Sequence, residues 1–428
     1  MRRLYSALTW AAQPLLRRKL RHRAVAEPGY AQAVEERFGH YTQPADAGFV
    51  WLHAVSLGET RAAAILLAAL RRELPGMRLL LTHGTATGRA EGEKLLQPGD
   101  VQVWQPWDTP GAARRFLHHF RPAIGILMET EVWPNLVAEC RAQGVPLTLA
   151  NARLNPRSLK KARRLGWLAR PAYRGLSAVW AQTDADAERL RALGANVQGV
   201  FGNLKFDVSP DPVLLGHGRA WRAEQPRPVV LFASSREGEE ALWLEAYKKN
   251  RPPAQEGQAQ AAINSGVQWL IVPRHPQRFD EVERLLTAAG LQVARRSAWA
   301  EEPAPADVWL GDSLGEMPLY YGLADVALLG GSFAPLGGQN LIEAAACGCP
   351  VVLGPHTFNF AEAAELACAA GAAERVADMG QGVEAACALA ADKERLIQAR
   401  HAATAFARQH RGAAQATALQ VRKMMAAA

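Results

Sequence analysis

"ADVALLGGSFAPLGGQNLIEAAACGCPVVLGPHTFNF", residues 324–360, contains an apolar run, a glycine-rich loop, a helical stretch and a second apolar run in that order. The run 326–329 predicts a buried strand, which the glycines at 330–331 end. Residues 340–343 begin a helix, and the apolar run 351–353 predicts the next strand. A strand–helix–strand unit of this kind is typical of parallel α/β sheets.

The same alternation extends along the whole chain. Since 428 residues are too many for one ordinary core, we predict an α/β fold of two Rossmann-like, doubly wound domains that face each other across a cleft. Ligands of such sheets bind beyond the carboxyl ends of the strands. The predicted strands are 50–54, 78–82, 101–104, 124–128, 146–150, 178–181, 229–233, 268–272, 308–310, 326–329 and 351–353.

Composition shifts along the chain suggest the domain boundaries. An N-terminal helix is predicted over residues 1–24, and the N-terminal domain over 25–208. The Pro-rich segment 209–228 is predicted to be a linker, and the C-terminal domain spans 229–428 and ends in a helical tail. The polar segment 250–266 is predicted to be a mobile loop.

Charge and cysteine content narrow the function classes. The net charge is +8 and the basic residues are concentrated in the N-terminal half, which indicates an anionic partner, either nucleic acid or an acidic membrane surface. Five cysteines without zinc or redox spacing indicate buried thiols in a reducing compartment.

The N-terminal apolar stretch, residues 4–16, favours the membrane. It is too short to span a bilayer comfortably and lacks a signal-peptide cleavage site. We therefore expect a helix that lies in the membrane interface, with Tyr5 and Trp10 at headgroup level and the following basic run against anionic lipid. The alternative is an ordinary amphipathic helix packed on the domain.

The stretch "VWLHAVSLGETRAAAILLAAL", residues 50–70, places Glu59 between a buried strand and a helix. A carboxylate in the first turn of a helix complements the helix dipole, a stabilisation of about 0.3–1 kcal/mol. The same position, at the carboxyl end of a strand, suits a general base that faces a ligand. Both interpretations are open at this point.

Phosphate chemistry is suggested in the C-terminal half. The glycine-rich loop that begins at Gly330 lets backbone N–H groups approach a phosphate, and Glu343 can accept hydrogen bonds from ribose hydroxyls. Arg274, at the end of a predicted strand, suits a phosphate or carboxylate. The loop is neither a Walker A motif nor a dinucleotide fingerprint. Residues 184–186 formally match the D-x-D of metal-dependent glycosyltransferases, but they follow Thr183 at a helix start, where capping explains them.

Ordered motifs then identify a family resemblance. From about residue 4 to residue 360 the chain resembles 3-deoxy-D-manno-octulosonic acid (Kdo) transferases. The resemblance implies a GT-B fold and transfer of Kdo, with inversion, from CMP-Kdo to the lipid A precursor at the cytoplasmic face of the inner membrane. The motifs are "HAVSLGET" (53–60), "METEVWPNL" (128–136), "ANARL" (150–154), "GNLKFD" (202–207), "VPRHPQRF" (272–279), "GDSLGEM" (311–317) and "GGSFAPLGGQN…GPHTFNF" (330–360).

The resemblance also implies residue roles. The glutamate of S-x-G-E, here Glu59, is the catalytic base of the family. The first glutamate of METE and the lysine of LKFD, here Glu129 and Lys205, assist the transition state. The CMP-Kdo contacts fall on Pro273, Arg274, Leu314, Gly315, Glu316, Asn340, Leu341, Ile342 and Glu343.

Two stretches beside the implied donor site depart from the family pattern. Gln339, Leu341 and Ile342 occupy a segment where the family more often has G-G-H-N-P-L-E. Ser235 and Arg236 stand where it often has Thr-His. Fine contacts with the donor are therefore expected to differ from those of other members.

We expect no metal or other cofactor, since Arg274, Lys205 and helix N-termini can stabilise the departing phosphate of CMP. The expected partners are CMP-Kdo, the lipid A precursor and an anionic membrane surface, with no nucleic acid. The basic segment 151–176 is predicted to face the membrane with the N-terminal helix, or else to be a solvated helix face.

Other functions stay open at this stage. The chain resembles GT-B enzymes closely enough that a transferase using a uridine nucleotide-sugar and a lipid-linked acceptor is the main alternative. A catalytically silent membrane adaptor and a soluble nucleic-acid-binding protein also fit the basic half. Glu129 and Glu131, one residue apart, could instead indicate glycosidase chemistry, unless Glu131 is the first-turn acid of the following helix.

Overall fold

The computed structural model describes residues 2–249, 266–300 and 302–427. The chain forms two compact units, which we call the first unit (Met1–Asp207 with His410–Ala428) and the second unit (Val208–Gln409). The loop predicted at 250–266 lies outside the described residues except for its last residue.

The first unit is built around a parallel sheet. Its described strands are β1 (Val50–His53), β2 (Leu79–His83), β3 (Val101–Trp104), β4 (Ile124–Met128), β5 (Leu147–Ala152), β6 (Ala178–Ala181) and β7 (Val197–Val200). They are ordered β3-β2-β1-β4-β5-β6-β7. The accompanying helices are α1 (Arg2–Ala11), α2 (Gln13–Ala26), α3 (Leu57–Glu73), α4 (Ala86–Glu93), α5 (Pro110–Phe120), α6 (Pro134–Ala142), α7 (Pro156–Arg164), α8 (Gly166–Arg174) and α9 (Asp184–Ala192).

The second unit repeats this architecture. Its described strands are β8 (Val229–Ser235), β9 (Gln268–Pro273), β10 (Val293–Arg295), β11 (Val308–Leu310), β12 (Val326–Leu329), β13 (Val351–Leu353) and β14 (Ala373–Arg375). They are ordered β10-β11-β9-β8-β12-β13-β14, again in parallel. The helices are α10 (Pro212–Glu224), α11 (Glu239–Lys249), α12 (Phe279–Ala288), α13 (Met317–Leu323), α14 (Leu341–Ala346), α15 (Ala361–Ala369), α16 (Met379–Ala391) and α17 (Lys393–Gln409).

The predicted strands are confirmed within about two residues, the usual uncertainty of strand ends. The central strands β1, β2 and β4 are buried at every residue, which explains their continuous apolar runs. Sequence analysis missed β7, β10 and β14, each at an edge of its sheet. An edge strand is covered on fewer sides and needs no apolar run, and these short segments are only partly buried.

In both sheets the strand order reverses beside the first strand of the unit. β1 pairs with β2 on one side and β4 on the other, so the connections lead to opposite faces of the sheet. In the second unit β8 lies between β9 and β12 in the same way. The loops that leave these strands diverge at the carboxyl edge, which leaves a crevice between them.

The structure differs from the predicted bounds in the supposed linker. Residues 212–224 form α10, which Asp211 caps by accepting hydrogen bonds from the N–H groups of Val213 (2.8 Å) and Leu214 (3.2 Å). α10 packs on α13 at such a short distance that a Cβ on Gly218 would lie 2.1 Å from the carbonyl oxygen of Leu319. Pro212 stands at the first position of this helix, where proline is favoured.

The predicted helical tail also differs, because its last part leaves the second unit. Residues Ala413–Ala426 form α18, which belongs to the first unit and packs on α3. Ala414, Ala418 and Val421 are buried there in the core that α3 also lines. The small side chains of α18 form no recognisable motif in the sequence. They allow α18 and α3 to approach closely.

The N-terminal segment forms two helices, α1 and α2, instead of one. α1 contacts α6, where the hydroxyl of Tyr5 donates to Asp108 Oδ2 (2.9 Å) and that of Ser6 to Asn135 Oδ1 (2.8 Å). Tyr5 is therefore directed toward the protein and not toward a membrane surface, whereas Trp10 is 70% exposed.

Two glycines of α10 provide a matched pair for a stability test. Gly218→Ala is expected to lower the free energy of unfolding by about 1–3 kcal/mol, because the new methyl meets the backbone of α13. Gly216 has no heavy atom within 4 Å of such a methyl, so Gly216→Ala is expected to raise it by about 0.5–1 kcal/mol. Urea denaturation measures both. Equal effects of the two substitutions would contradict the close packing of α10 on α13.

Candidate active site

Glu59 lies in the first turn of α3, the helix that follows β1, and Ser56 caps that helix. Ser56 Oγ accepts a hydrogen bond from the Glu59 N–H (3.4 Å), while one carboxylate oxygen of Glu59 accepts from Ser56 Oγ (3.3 Å). The other carboxylate oxygen accepts from the N–H of Val55 (2.8 Å). This is a capping-box arrangement, and it holds the carboxylate at the carboxyl edge of the sheet.

The cap does not leave Glu59 with the acidity of an ordinary glutamate. The pKa of Glu59 is raised from its usual 4.5 to about 7, because burial, together with the negative charges of Glu129 and Glu131, outweighs the hydrogen bonds from Val55 and Ser56. A carboxylate with this pKa can accept a proton near neutral pH. The structural and the catalytic interpretation of Glu59 are therefore compatible.

Glu129 follows β4, the strand next to β1, and its backbone is unusual. It is 5% exposed and its φ of 58° lies in the left-handed region that non-glycine residues rarely adopt. Its carboxylate forms an ion pair with Arg153 (2.6 Å), and its N–H donates to the carbonyl of Ala150 (3.0 Å). Residues held in such a conformation cluster at functional sites, where surrounding contacts compensate the strain.

Glu131 completes a group that we call the carboxylate cluster (Glu59, Glu129 and Glu131). The first-turn role predicted for it is wrong, because α6 begins three residues later, at Pro134. Its carboxylate accepts instead from Trp133 Nε1 (2.9 Å). Burial and the charge of Glu129 both raise the pKa of Glu131.

Lys205, the third predicted catalytic residue, lies on a separate segment of the first unit. It follows β7, at the far edge of the sheet, on a short 3₁₀ segment, Leu204–Asp207, that packs against α3. The N–H of Leu204 donates to Asn151 Oδ1 (3.1 Å), and that of Lys205 to Asn203 Oδ1 (3.0 Å). The sequence did not predict that this segment packs against α3, the helix that carries Glu59.

The second unit gathers the predicted donor residues at one edge. They follow strands β9, β11 and β12, and the sheet order β11-β9-β8-β12 makes these strands neighbours or near neighbours. Pro273 ends β9, and the N–H of Arg274 donates to the carbonyl of Ser235 at the end of β8 (2.9 Å). Glu343, in α14, lies within electrostatic range of Arg274, whose charge opposes the burial that raises the pKa of Glu343.

The other predicted donor residues differ in exposure and in the hydrogen bonds of their side chains. Leu314 is 68% exposed and Gly315 has a φ of 82°, so both form an open turn after β11. The Glu316 carboxylate is held by Arg296 (3.0 Å) and Ser313 (2.6 Å).

At α14, Asn340 caps the helix by accepting from the N–H of Ile342 (3.1 Å). Leu341 and Ile342 are each 1% exposed. Their side chains belong to the core and are not available to a ligand.

Glu239 is the residue that sequence reasoning missed. It is fully buried, and its carboxylate accepts hydrogen bonds from the N–H groups of Gly331 (2.7 Å), Phe333 (3.0 Å) and Ala334 (3.1 Å). The first part of the glycine-rich loop is thus organised by a protein carboxylate, and these N–H groups do not form the phosphate cradle that was expected. In the sequence, the acidic run that follows β8 was the signal for this buried carboxylate.

The D-x-D match is structural, as the capping interpretation predicted. The Thr183 side chain accepts from the N–H of Asp186 (3.1 Å), and Asp186 Oδ1 accepts from the N–H of Leu154 (2.8 Å). Within residues 2–249, 266–300 and 302–427, no three His, Cys, Asp or Glu side chains form a group that could hold a metal ion.

Comparison with known proteins now decides the family. A family model described as 3-deoxy-D-manno-octulosonic-acid transferase (kdotransferase) matches residues 32–208. A 3-deoxy-D-manno-octulosonic acid transferase of Bordetella pertussis is 51% identical over 374 residues, which are 86% of this chain and 85% of that protein. The chain belongs to the Kdo transferase family. It is therefore a glycosyltransferase, and the resemblance inferred from its motifs is confirmed.

Other relatives of this family and of its fold agree. The Kdo transferase of Haemophilus influenzae is 33% identical over 84% of this chain and 83% of its own length. The crystal structure of a glycosyltransferase from Rickettsia africae matches with a TM-score of 0.54 at 12% identity, over 89% of this chain and 99% of that chain. At that identity the match concerns the fold alone, and it confirms the predicted GT-B class for this Kdo transferase.

The raised pKa of Glu59 is expected to appear in the pH dependence of stability. A proton bound more tightly in the folded state stabilises it fully below about pH 4.5, and this contribution is lost as the pH rises through about 7. Glu59→Gln avoids that loss, so its melting temperature is expected to exceed that of the wild type more at pH 8 than at pH 5.

The control is Glu93→Gln, which changes an exposed glutamate of α4. Its difference from the wild type should be the same at both pH values. A Glu59→Gln difference that is independent of pH would contradict the raised pKa.

Proposed function

We propose that this Kdo transferase moves Kdo from CMP-Kdo to the lipid A precursor in lipopolysaccharide biosynthesis, with inversion at the anomeric carbon and Glu59 as general base. The observation that carries the proposal is the position of Glu59. Glu59 lies at the carboxyl edge of β1, at the switch point of the first sheet, in a chain that belongs to this family. Its carboxylate has a pKa of about 7.

The proposed reaction is a single displacement. A sugar hydroxyl of the acceptor forms a bond to the anomeric carbon of Kdo, its proton passes to the Glu59 carboxylate, and the bond to the CMP phosphate oxygen breaks with its electron pair. General-base catalysis of this type contributes about 10²–10⁴-fold. Inversion requires one base and no covalent intermediate, so the carboxylate cluster does not need to supply a nucleophile.

The other members of the first-unit site support Glu59 in this proposal. Burial keeps the pKa of Glu59 high and the charge of Glu129 adds to this effect, while Arg153 forms an ion pair with Glu129. Lys205 supplies a positive charge for the anionic transition state, in which negative charge moves onto the departing phosphate. This division of roles also argues against glycosidase chemistry, since the two buried glutamates that follow β4 are engaged by Arg153 and Trp133.

The donor is assigned to the second unit. Arg274 is the group suited to the phosphate and carboxylate of CMP-Kdo, because its guanidinium donates bidentately and stays charged. Glu343 is proposed to accept hydrogen bonds from the ribose, and the open turn at Leu314 and Gly315 leaves backbone groups for the rest of the donor. CMP leaves with a single phosphate, so we propose that the reaction proceeds without a metal ion.

We further propose that the first unit binds the cytoplasmic side of the inner membrane through α1, α2, α7 and α8. α1 exposes Leu4 (58%) and Leu8 (62%), four residues apart on one face, and also Trp10 (70%), while α2 exposes Leu15 (68%). None of the described helices is long and apolar enough to cross a bilayer. An exposed apolar stripe next to arginines suits a helix that lies in the interface.

The basic helices α7 and α8 are connected to α1 through α6. α1 contacts α6, α6 contacts α8, and α8 contacts α7. No residue of α7 is buried, and a groove of about 610 Å³ is lined by Pro156, Leu159, Lys160, Arg163 and Arg164. Mixed apolar and basic lining of this kind suits a phosphorylated glycolipid, which supports the acceptor assignment.

The transferase activity is tested by incubating the protein with CMP-Kdo and lipid A precursor and counting added sugars by mass spectrometry. We expect Kdo adducts with the wild type, equally in the presence of EDTA, and at least about a 10²-fold loss of kcat in Glu59→Gln. Failure of the wild type to form any adduct would overturn the proposed reaction, and loss in EDTA that Mg²⁺ restores would overturn metal independence.

Nucleotide binding separates this proposal from its alternatives. CMP is expected to raise the melting temperature of both the wild type and Glu59→Gln, and UDP is not. Stabilisation by UDP alone would favour a uridine-dependent transferase. A Glu59→Gln variant that retains cellular function would favour the silent adaptor.

Charge reversal tests the membrane surface. Changing Lys160, Lys161, Arg163 and Arg164 to Glu is expected to weaken binding to phosphatidylglycerol-containing vesicles and to raise the acceptor KM, while CMP affinity stays unchanged. Each basic residue near an anionic membrane contributes about 1 kcal/mol.

A matched control changes four exposed basic residues of the second unit to Glu, namely Lys248, Lys249, Lys393 and Arg395. It alters the net charge equally but should leave vesicle binding intact. Equal loss in both variants would show a general charge effect, and no loss in either would leave α7 as a solvated face.

A further inference from the structure

The segment that carries Lys205 is short and depends on its neighbours for its conformation. Leu204–Asp207 is a single 3₁₀ turn, too short to be stable by itself. Leu204 (1% exposed) and Phe206 (4%) anchor it on either side of Lys205. The N–H of Leu204 donates to Asn151, whose own backbone has a left-handed φ of 52° at the end of β5. One end of the turn is thus held by the sheet.

The other end of the turn is held by the C-terminal helix. The Asp207 carboxylate accepts hydrogen bonds from the N–H of Gly412 and from that of Ala414 (2.5 Å), at the start of α18. The rings of Phe206 and His410 are also in contact, with centroids 4.8 Å apart. A carboxylate that accepts from free N–H groups at a helix N-terminus gains both the hydrogen bonds and the favourable end of the helix dipole.

α18 is itself fixed on the helix of Glu59. Arg422 forms an ion pair with Glu73 at the end of α3 (2.7 Å), and Gln415 donates to the same carboxylate (2.6 Å). Ala418 and Val421 are fully buried in the core shared with α3. α3, α18 and the Lys205 turn are therefore three mutually contacting pieces, although nearly the whole chain separates α3 from α18.

We propose that α18 positions Lys205 through Asp207, so that the last residues of the chain take part in catalysis by the first unit. Asp207 is a positioning residue, since its carboxylate is engaged by α18 and acts on the reaction only through the backbone that it shares with Lys205. This inference rests on the proposed role of Lys205. It adds that the conformation of the Lys205 turn, relative to Glu59 on α3, is set by a helix from the other end of the chain.

Asp207→Ala removes the acceptor for both N–H groups. We expect kcat to fall on the order of ten- to a hundredfold, the range expected from a displacement of about 1 Å. The KM for CMP-Kdo should not change, because the donor is assigned to the second unit. Asp207→Asn keeps one acceptor oxygen and is expected to recover part of kcat. If Asp207 had only a structural role, Asp207→Ala would lower the melting temperature without lowering kcat at an unchanged KM.

A double-mutant cycle with Lys205→Met decides whether Asp207 acts through Lys205. If it does, Asp207→Ala lowers kcat in the wild type but has no further effect in Lys205→Met. Asp211→Ala is the matched control, because Asp211 caps α10 with the same chemistry only four residues away. It is expected to leave kcat unchanged.

The possible outcomes separate the two proposals. If Lys205→Met keeps full kcat, the proposed role of Lys205 is wrong. If Lys205→Met lowers kcat but Asp207→Ala and Asp207→Asn leave it unchanged, or if their effects simply multiply with that of Lys205→Met, the function stands and the positioning role is overturned. CMP-induced thermal stabilisation confirms in each variant that the second unit is folded.

Discussion

The reversal of strand order between β1 and β4 is the constraint on which the first-unit site depends. Neighbouring parallel strands end at the same edge, and at this position their connecting segments turn to opposite faces. Glu59 follows one of these strands and Glu129 the other. The two carboxylates are therefore brought together by topology, although about seventy residues separate them in the sequence. Their mutual repulsion follows directly from this placement, and it contributes to the raised pKa of Glu59.

The candidate catalytic groups at this edge also have structural roles. The carboxylate of Glu59 completes a helix cap, yet it is buried beside two other acids, which is unfavourable for a charged group. Glu129 adds a strained backbone and depends on Arg153 for charge compensation. A carboxylate used only for capping would not require such neighbours. Features that disagree with local stability are expected where a site has been shaped for chemistry.

The second unit shows how a glycine-rich loop can be misinterpreted from sequence. Glycines allow close approach of any acceptor, and here the acceptor is the buried carboxylate of Glu239 rather than a ligand phosphate. The first part of the loop is therefore held by a side chain of the protein itself. Arg274 and Glu343, which are far apart in the sequence, lie within electrostatic range of each other in the second unit.

The sequence by itself determined the α/β class, the strands of both sheet centres, the family and the identity of the candidate catalytic residues. It could do so because buried parallel strands require continuous apolar runs, and because short motifs keep their order along the chain. It could not show which strands are neighbours, that Glu239 occupies the glycine-rich loop, or that α10 is a helix in the supposed linker. Nor could it show that residues 413–426 return to α3 and hold Asp207. These features are contacts between segments distant in the chain, and a contact of that kind is decided by the packing of the whole fold, since neither partner carries a local signal of the other.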